Sequence, residues 1–194
     1  FTSTAQNASS YQWYKNGELI VGATSSSLSL TNITTANAGV YFVKIKGVGD
    51  CAAEELQSSS ATLSIKDLVS IAEQSPSVSF CGTTTHTLFV ETSGSVEGIE
   101  WFKNEEKVGI TSNSFDFTAT ETATYYAVVT GSCNTVIGTI ITVTVNPKPS
   151  FNTPLAGAEV CPGANHTFTS TAQNASSYQW YKNGDLIVGA TSSS

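Results

Sequence analysis

Residues 37–46 read Asn-Ala-Gly-Val-Tyr-Phe-Val-Lys-Ile-Lys: a small polar corner, then a run from Tyr41 to Lys46 whose side chains alternate with a period of two. That period predicts a half-buried antiparallel strand, with Tyr41 turned inward and Phe42 outward. Working outward, Ala61–Lys66 and Ile141–Val145 show the same alternation. The runs break at Asn16-Gly17, Ser93-Gly94, Gly131-Ser132 and Asn183-Gly184, pairs suited to tight turns. No stretch sustains a 3.6-residue apolar period, so no substantial helix is expected. Short strands punctuated by turns every 8 to 12 residues or so are the arithmetic of a β-sandwich.

The chain repeats itself. Residues 1–27 recur at 168–194 with one change, Glu18 to Asp185. A weaker echo, WFKNEEKVGITSNSF from Trp101, answers WYKNGELIVGATSSSL from Trp13 and is one residue shorter. The period of 167 residues therefore holds two similar units of roughly 83 residues each, the signature of a tandem array. Alignment of the units predicts residues 1–66 as a unit lacking its first strand and most of its second. Residues 67–146 read as a complete unit, and 147–194 as the first half of a further one. The short boundaries are Lys66-Asp67 and Asn146-Pro147-Lys148-Pro149. The expectation is a window on a longer array.

Composition narrows the function. The 194 residues carry 8 Lys, no Arg and 15 acidic residues, a net charge of −7, and the lysines are scattered. Phosphate neutralisation needs clustered cations, so a nucleic-acid partner is not expected. No uncharged apolar run approaches the roughly 20 residues of a membrane span. With 40% hydrophobic and 12% charged residues the chain reads as globular.

Trp13 followed by Asn37-Ala38-Gly39-Val40-Tyr41, and Trp101 followed by Tyr125, resemble the tryptophan and tyrosine corner of immunoglobulin-like domains. The resemblance implies an all-β fold of tandem immunoglobulin-like β-sandwich domains. Trp13, Trp101 and Trp180 are then core anchors, with Tyr41 and Tyr125 at the corners. Asn37 stands where the family has Asp. Val43 and Ala127 replace the usual inter-sheet cysteine. The repeated W-[YF]-K-N with VGATSSS, and a cysteine before the second strand and after the sixth, is similar to the immunoglobulin-like repeats of giant cell-surface proteins of Bacteroidota. That likeness implies an extracellular, non-catalytic segment forming a cell-surface stalk or filament for adhesion, with neighbouring copies of the repeat as partners.

Candidate sites follow from strand alternation. If the tryptophans point inward, Tyr14, Phe102 and Tyr181 point outward, as do Phe42 and Tyr126 after the corner tyrosines. In an immunoglobulin sandwich the third and sixth strands are neighbours, so Tyr14 meets Phe42 and Phe102 meets Tyr126. Such a face is either a stabilising cross-strand pair or a surface for glycan or another cell-surface protein. The second possibility makes the chain a carbohydrate-binding module of a secreted glycan-degrading system. Strand direction places Cys81 and Cys133 at opposite ends of their unit, so Cys51, Cys81, Cys133 and Cys161 are expected to join units rather than staple one. His86 and His166 each follow a cysteine by five residues, which reads more simply as a duplicated strand position than as a metal pair. Asp50, Glu54 and Glu55 lack the spacing of a calcium loop. Asn7, Asn32, Asn165 and Asn174 open N-x-[ST] triplets, expected by chance in so Ser/Thr-rich a chain. No catalytic constellation and no cofactor motif stands out.

Overall fold

The computed structural model describes residues 1–194, and the chain divides into two compact units, Phe1–Asp67 and Leu68–Ser194. Helix is confined to two single 3-10 turns, Thr35–Asn37 and Gly49–Cys51. The boundary after Asp67 lies one residue beyond the expected one. Residues 147–194 group with the middle sandwich instead of separating as a third unit. Lys148 of the expected linker lies against Gly82.

In the first unit, strands β1 (Ala8–Lys15), β2 (Glu18–Leu19), β3 (Gly39–Gly47), β4 (Glu55–Gln57) and β5 (Ala61–Leu63) form one antiparallel sheet with β3 at its centre. The register sets Trp13 opposite Val43 and Tyr14 opposite Phe42. Alternation then sends Trp13, Tyr41 and Val43 to one face, where they form a buried cluster with Leu28. The opposing layer is slight. Phe1–Ser3 pair with Ser26–Leu28, and the Phe1 ring stacks on Tyr41 at 4.8 Å.

The second unit carries a full sandwich. Its strands are β6 (Ser70–Gln74), β7 (Val78–Cys81), β8 (Thr84–Ser93), β9 (Val96–Lys103), β10 (Glu106–Lys107), β11 (Ser114–Ala119), β12 (Ala123–Gly131), β13 (Thr135–Ile137) and β14 (Ile141–Asn146). One sheet runs β10-β9-β12-β14-β7 with β13 also on β12, and the other runs β11-β8-β6. The N-terminal strand thus switches sheets: β6 pairs β8 antiparallel, and after Pro76 the chain crosses so that β7 pairs β14 in parallel. Proline lacks the N–H a ladder needs, so it suits the crossing. Between the sheets Leu88, Val90, Trp101, Tyr125, Ala127, Ile141 and Val143 are buried. Beyond Asn146 only short pairs remain, β15 (Ser150–Phe151) with β16 (Ala172–Gln173) and β17 (Tyr181–Lys182) with β18 (Asp185–Leu186).

Candidate functional site

The Trp-Tyr/Phe-Lys-Asn block ends β1, β9 and, in the C-terminal copy, β17, and turns straight into a hairpin. The two central hairpin residues both have positive φ: Asn16 50° with Gly17 87°, Asn104 48° with Glu105 72°, Asn183 54° with Gly184 94°. Paired positive φ values match the right-handed twist of the flanking strands, and Asn-Gly adopts them most readily. Glu105 does so against its Cβ.

Each residue of the block has its own neighbour. The Trp13 indole N–H donates to the Ser25 carbonyl at 2.9 Å, Trp101 to Ser112 at 2.9 Å and Trp180 to Ser192 at 2.8 Å, so each ring is tied to the turn that follows it. Trp101 is 0% exposed and Trp13 4%. The lysine reaches the corner before β3 or β12: Lys15 Nζ donates to the Ala36 carbonyl, and Lys103 forms an ion pair with Glu121 at 2.8 Å. The hydrogen bond to Lys103 holds the Glu121 carboxyl below its usual range, and the same bond raises Lys103. The asparagine binds the next strand twice. Asn16 Oδ1 accepts the Val40 N–H at 2.8 Å while its own N–H donates to the Val40 carbonyl at 2.8 Å. Asn104 does the same to Thr124, at 2.9 Å for both bonds.

This clamp was not anticipated from sequence, where the asparagine read only as a turn residue. Its signal was present in FKNEE, which keeps Asn104 although no glycine follows. The clamp also explains Gly39. A Cβ there would lie 2.6 Å from Asn16 Oδ1, and its φ of +152° disfavours other side chains.

The corner tyrosines sit inside. Tyr41 Oη donates to the Asn37 carbonyl at 2.6 Å, and Asn37 Oδ1 accepts the Thr34 N–H at 2.7 Å, so Asn37 both caps its turn and anchors the tyrosine. Burial raises the Tyr125 hydroxyl pKa above its ordinary value.

On the outer face Tyr14 and Phe42 stack at 5.0 Å with planes 6° apart, and Phe102 and Tyr126 at 4.8 Å and 3°. Each stack also meets an ammonium. Lys44 Nζ lies 5.4 Å from the Tyr14 ring centre and is held by Glu55 at 2.7 Å. Lys107 Nζ lies 5.9 Å from the Phe102 centre and is held by Glu100 at 2.8 Å. The lysine comes from β3 in one unit and β10 in the other, yet the arrangement is the same. Each pair is half-buried and stabilised by a parallel neighbour and a nearby cation.

The third copy departs from the expected pattern. Trp180 is only half-buried, not seated between two sheets, because no counterpart of β3 lies beside it. Tyr181 is 61% exposed. The four cysteines are exposed free thiols. Cys81 pairs with Asn146, beyond the start of β12, and Cys133 lies in the turn after its end. The nine-residue β12 spans about 26 Å at roughly 3.3 Å per step, far beyond disulfide reach. His86 packs on Phe80 at 5.1 Å and edge-on to Phe117, His166 edge-on to Phe168 at 4.6 Å, and Glu55 is engaged by Lys44.

No family model matches the sequence, and no curated protein matches it. Among solved structures the chain is similar to a three-immunoglobulin-domain fragment of titin. The match has a TM-score of 0.61 at 15% identity, covering 91% of this chain and 70% of that one, and a Glu-to-Ala variant of the fragment matches equally. At that identity the likeness speaks for the fold: the chain is all-β, with an immunoglobulin-like sandwich architecture.

Proposed function

We propose that this chain is a non-catalytic segment of an extracellular bacterial repeat protein whose tandem immunoglobulin-like units form a cell-surface stalk or filament for adhesion, and that residues 147–194 are the first half of a further unit. The observation that carries the reading is the use of the repeated block. Tryptophan, lysine and asparagine are each directed into the unit's own framework, and the outer aromatic is stacked on its neighbour. What duplication preserves is therefore architecture, as suits an array whose length changes by adding units without redesigning a core. The near-identity of 1–27 and 168–194 supports the half-unit. The likeness to giant Bacteroidota surface repeats supports the location. By the same reading the four cysteines link neighbouring units.

Two measurements test this. Antibodies against the chain should label intact, unpermeabilised cells and mark an extended fibre by electron microscopy; labelling only after permeabilisation would refute the location. The chain should pass unretained over soluble and insoluble polysaccharides. Saturable retention that disappears in Tyr14→Ala/Phe102→Ala would replace the stalk reading with a carbohydrate-binding module.

A further inference from the structure

Two of the three hairpins place glycine directly after the asparagine, Asn16-Gly17 and Asn183-Gly184, while the middle sandwich has Asn104-Glu105. Asparagine before glycine carries a chemistry of its own. The backbone nitrogen that follows can attack the side-chain carbonyl carbon, and glycine, without a Cβ, leaves that approach open. At Asn16 the reacting groups are accessible. Asn16 and Gly17 are exposed, the place a Cβ on Gly17 would take has nothing within 4 Å, and the Gly17 N–H makes no hydrogen bond to the chain.

What opposes the reaction is the clamp. Ring closure needs the Asn16 side chain to fold back onto its own backbone, whereas its Oδ1 is held at 2.8 Å by the Val40 N–H on β3, 24 residues away in sequence. The bond from the Asn16 N–H to the Val40 carbonyl, also 2.8 Å, fixes the backbone in the same place. Gly39 backs the side chain: a Cβ there would lie 2.6 Å from Oδ1 and 3.0 Å from Nδ2. The amide is therefore committed across the sheet.

We propose that Asn16-Gly17 is a latent deamidation site, kept unreactive while β1 stays on β3 and released when the two strands part. The Gly17 nitrogen bonds to Asn16 Cγ, the Cγ–Nδ2 bond breaks, and Nδ2 leaves as ammonia with the proton of the Gly17 N–H. The product is a cyclic succinimide. Water opens it at either carbonyl, leaving aspartate or, with the main chain rerouted through the side chain, isoaspartate. Isoaspartate adds a methylene to the backbone of a two-residue turn, so the pairing of Tyr14 with Leu19 and Lys15 with Glu18 is lost and does not return when the strands close. The hairpin keeps an irreversible record of its own opening. In the middle sandwich the Cβ of Glu105 hinders the same attack on Asn104, which gives a reason for glutamate at φ 72° where glycine would be unstrained.

The test incubates the full chain in mildly alkaline buffer, folded and in urea, and follows each asparagine by peptide mapping; the Glu18/Asp185 difference tells the two Asn-Gly peptides apart. When reaction waits on opening, the folded rate falls about tenfold for each 1.4 kcal/mol that opening costs, so Asn16 should convert at least about tenfold more slowly folded than unfolded. Glu105→Gly carries the comparison into the complete sandwich. Asn104 should then convert fast in urea and slowly when folded, held by the Thr124 N–H at 2.9 Å. Adding Gly39→Ala to that chain, which displaces the Asn16 amide without altering Asn16-Gly17, should speed Asn16 about fivefold or more, the worth of one hydrogen bond. Asn104 should be unchanged, and the strand signal in circular dichroism retained. Equal rates at Asn16 in the folded and unfolded parent overturn the proposal, and so does a folded Gly39→Ala chain in which Asn16 converts no faster than before.

Discussion

Trp101 is engaged throughout: its indole N–H donates to the Ser112 carbonyl, its ring meets Phe115 edge-on at 5.1 Å, and it has no exposed surface. Truncation leaves a cavity that a two-layer core cannot close. Trp101→Ala should cost about 3 to 5 kcal/mol, read as a lower urea midpoint of the second unit's transition. Glu105 is the opposite case, an exposed side chain on a backbone with φ of 72°. Glu105→Gly should stabilise by about 0.5 to 1 kcal/mol, because relief of left-handed strain exceeds the chain entropy glycine adds. Trp13, Trp101, Tyr41 and Tyr125, all buried, were legible in the sequence because large aromatics at fixed offsets from turn residues have few other uses, whereas Trp180 is only half-buried. Asn16 and Asn104 were half legible. Their φ preference shows in a local pattern, but their bonds to Val40 and Thr124 cross 24 and 20 residues of chain, and no periodicity records that.

Hairpins and corners join these residues into elements. Asn104→Ala removes the acceptor for the Thr124 N–H where β12 begins, at an expected cost of about 1 kcal/mol in the same melt. The corner also has a pH signature. Glu121 and Glu55 have folded pKa values lowered by Lys103 and Lys44. Their contribution is complete above the ordinary carboxylate value of 4.5 and is lost as pH falls through the lower folded values. Both pairs are exposed, so the effect is small and weakened by salt. Stability measured against pH below 4.5 should fall less steeply in Glu121→Gln than in the parent. The pairing of β9 with β12 was expected from the resemblance to immunoglobulin sandwiches, with alternation supplying only which side chains face outward. The division of the N-terminal strand into β6 and β7 was not, because which sheet a strand joins depends on partners distant in sequence: β8 for one half and β14 for the other.

At the scale of the whole molecule the cysteines set a limit. With Cys81 and Cys133 at opposite ends of β12, mild oxidation of the chain should yield no peptide joining the two in a non-reduced digest; recovery of that peptide would contradict the sandwich topology. The parallel pairing of β7 with β14 has a consequence of another kind. The chain enters β7 at Val78 and leaves β14 at Asn146, at opposite ends of a ladder four residue pairs long, Val78 with Val143 through Cys81 with Asn146. Tension applied through the flanking chain draws these strands past each other lengthwise. The ladder is therefore strained in shear, its bonds sharing the force together instead of parting one after another as in an unzipping hairpin. Replacing Phe80, whose N–H faces β14 in the register that brings the Gly82 N–H to the Asn146 carbonyl, with proline should lower the rupture force in single-molecule pulling, and a protein built of such units would resist being drawn out by flow.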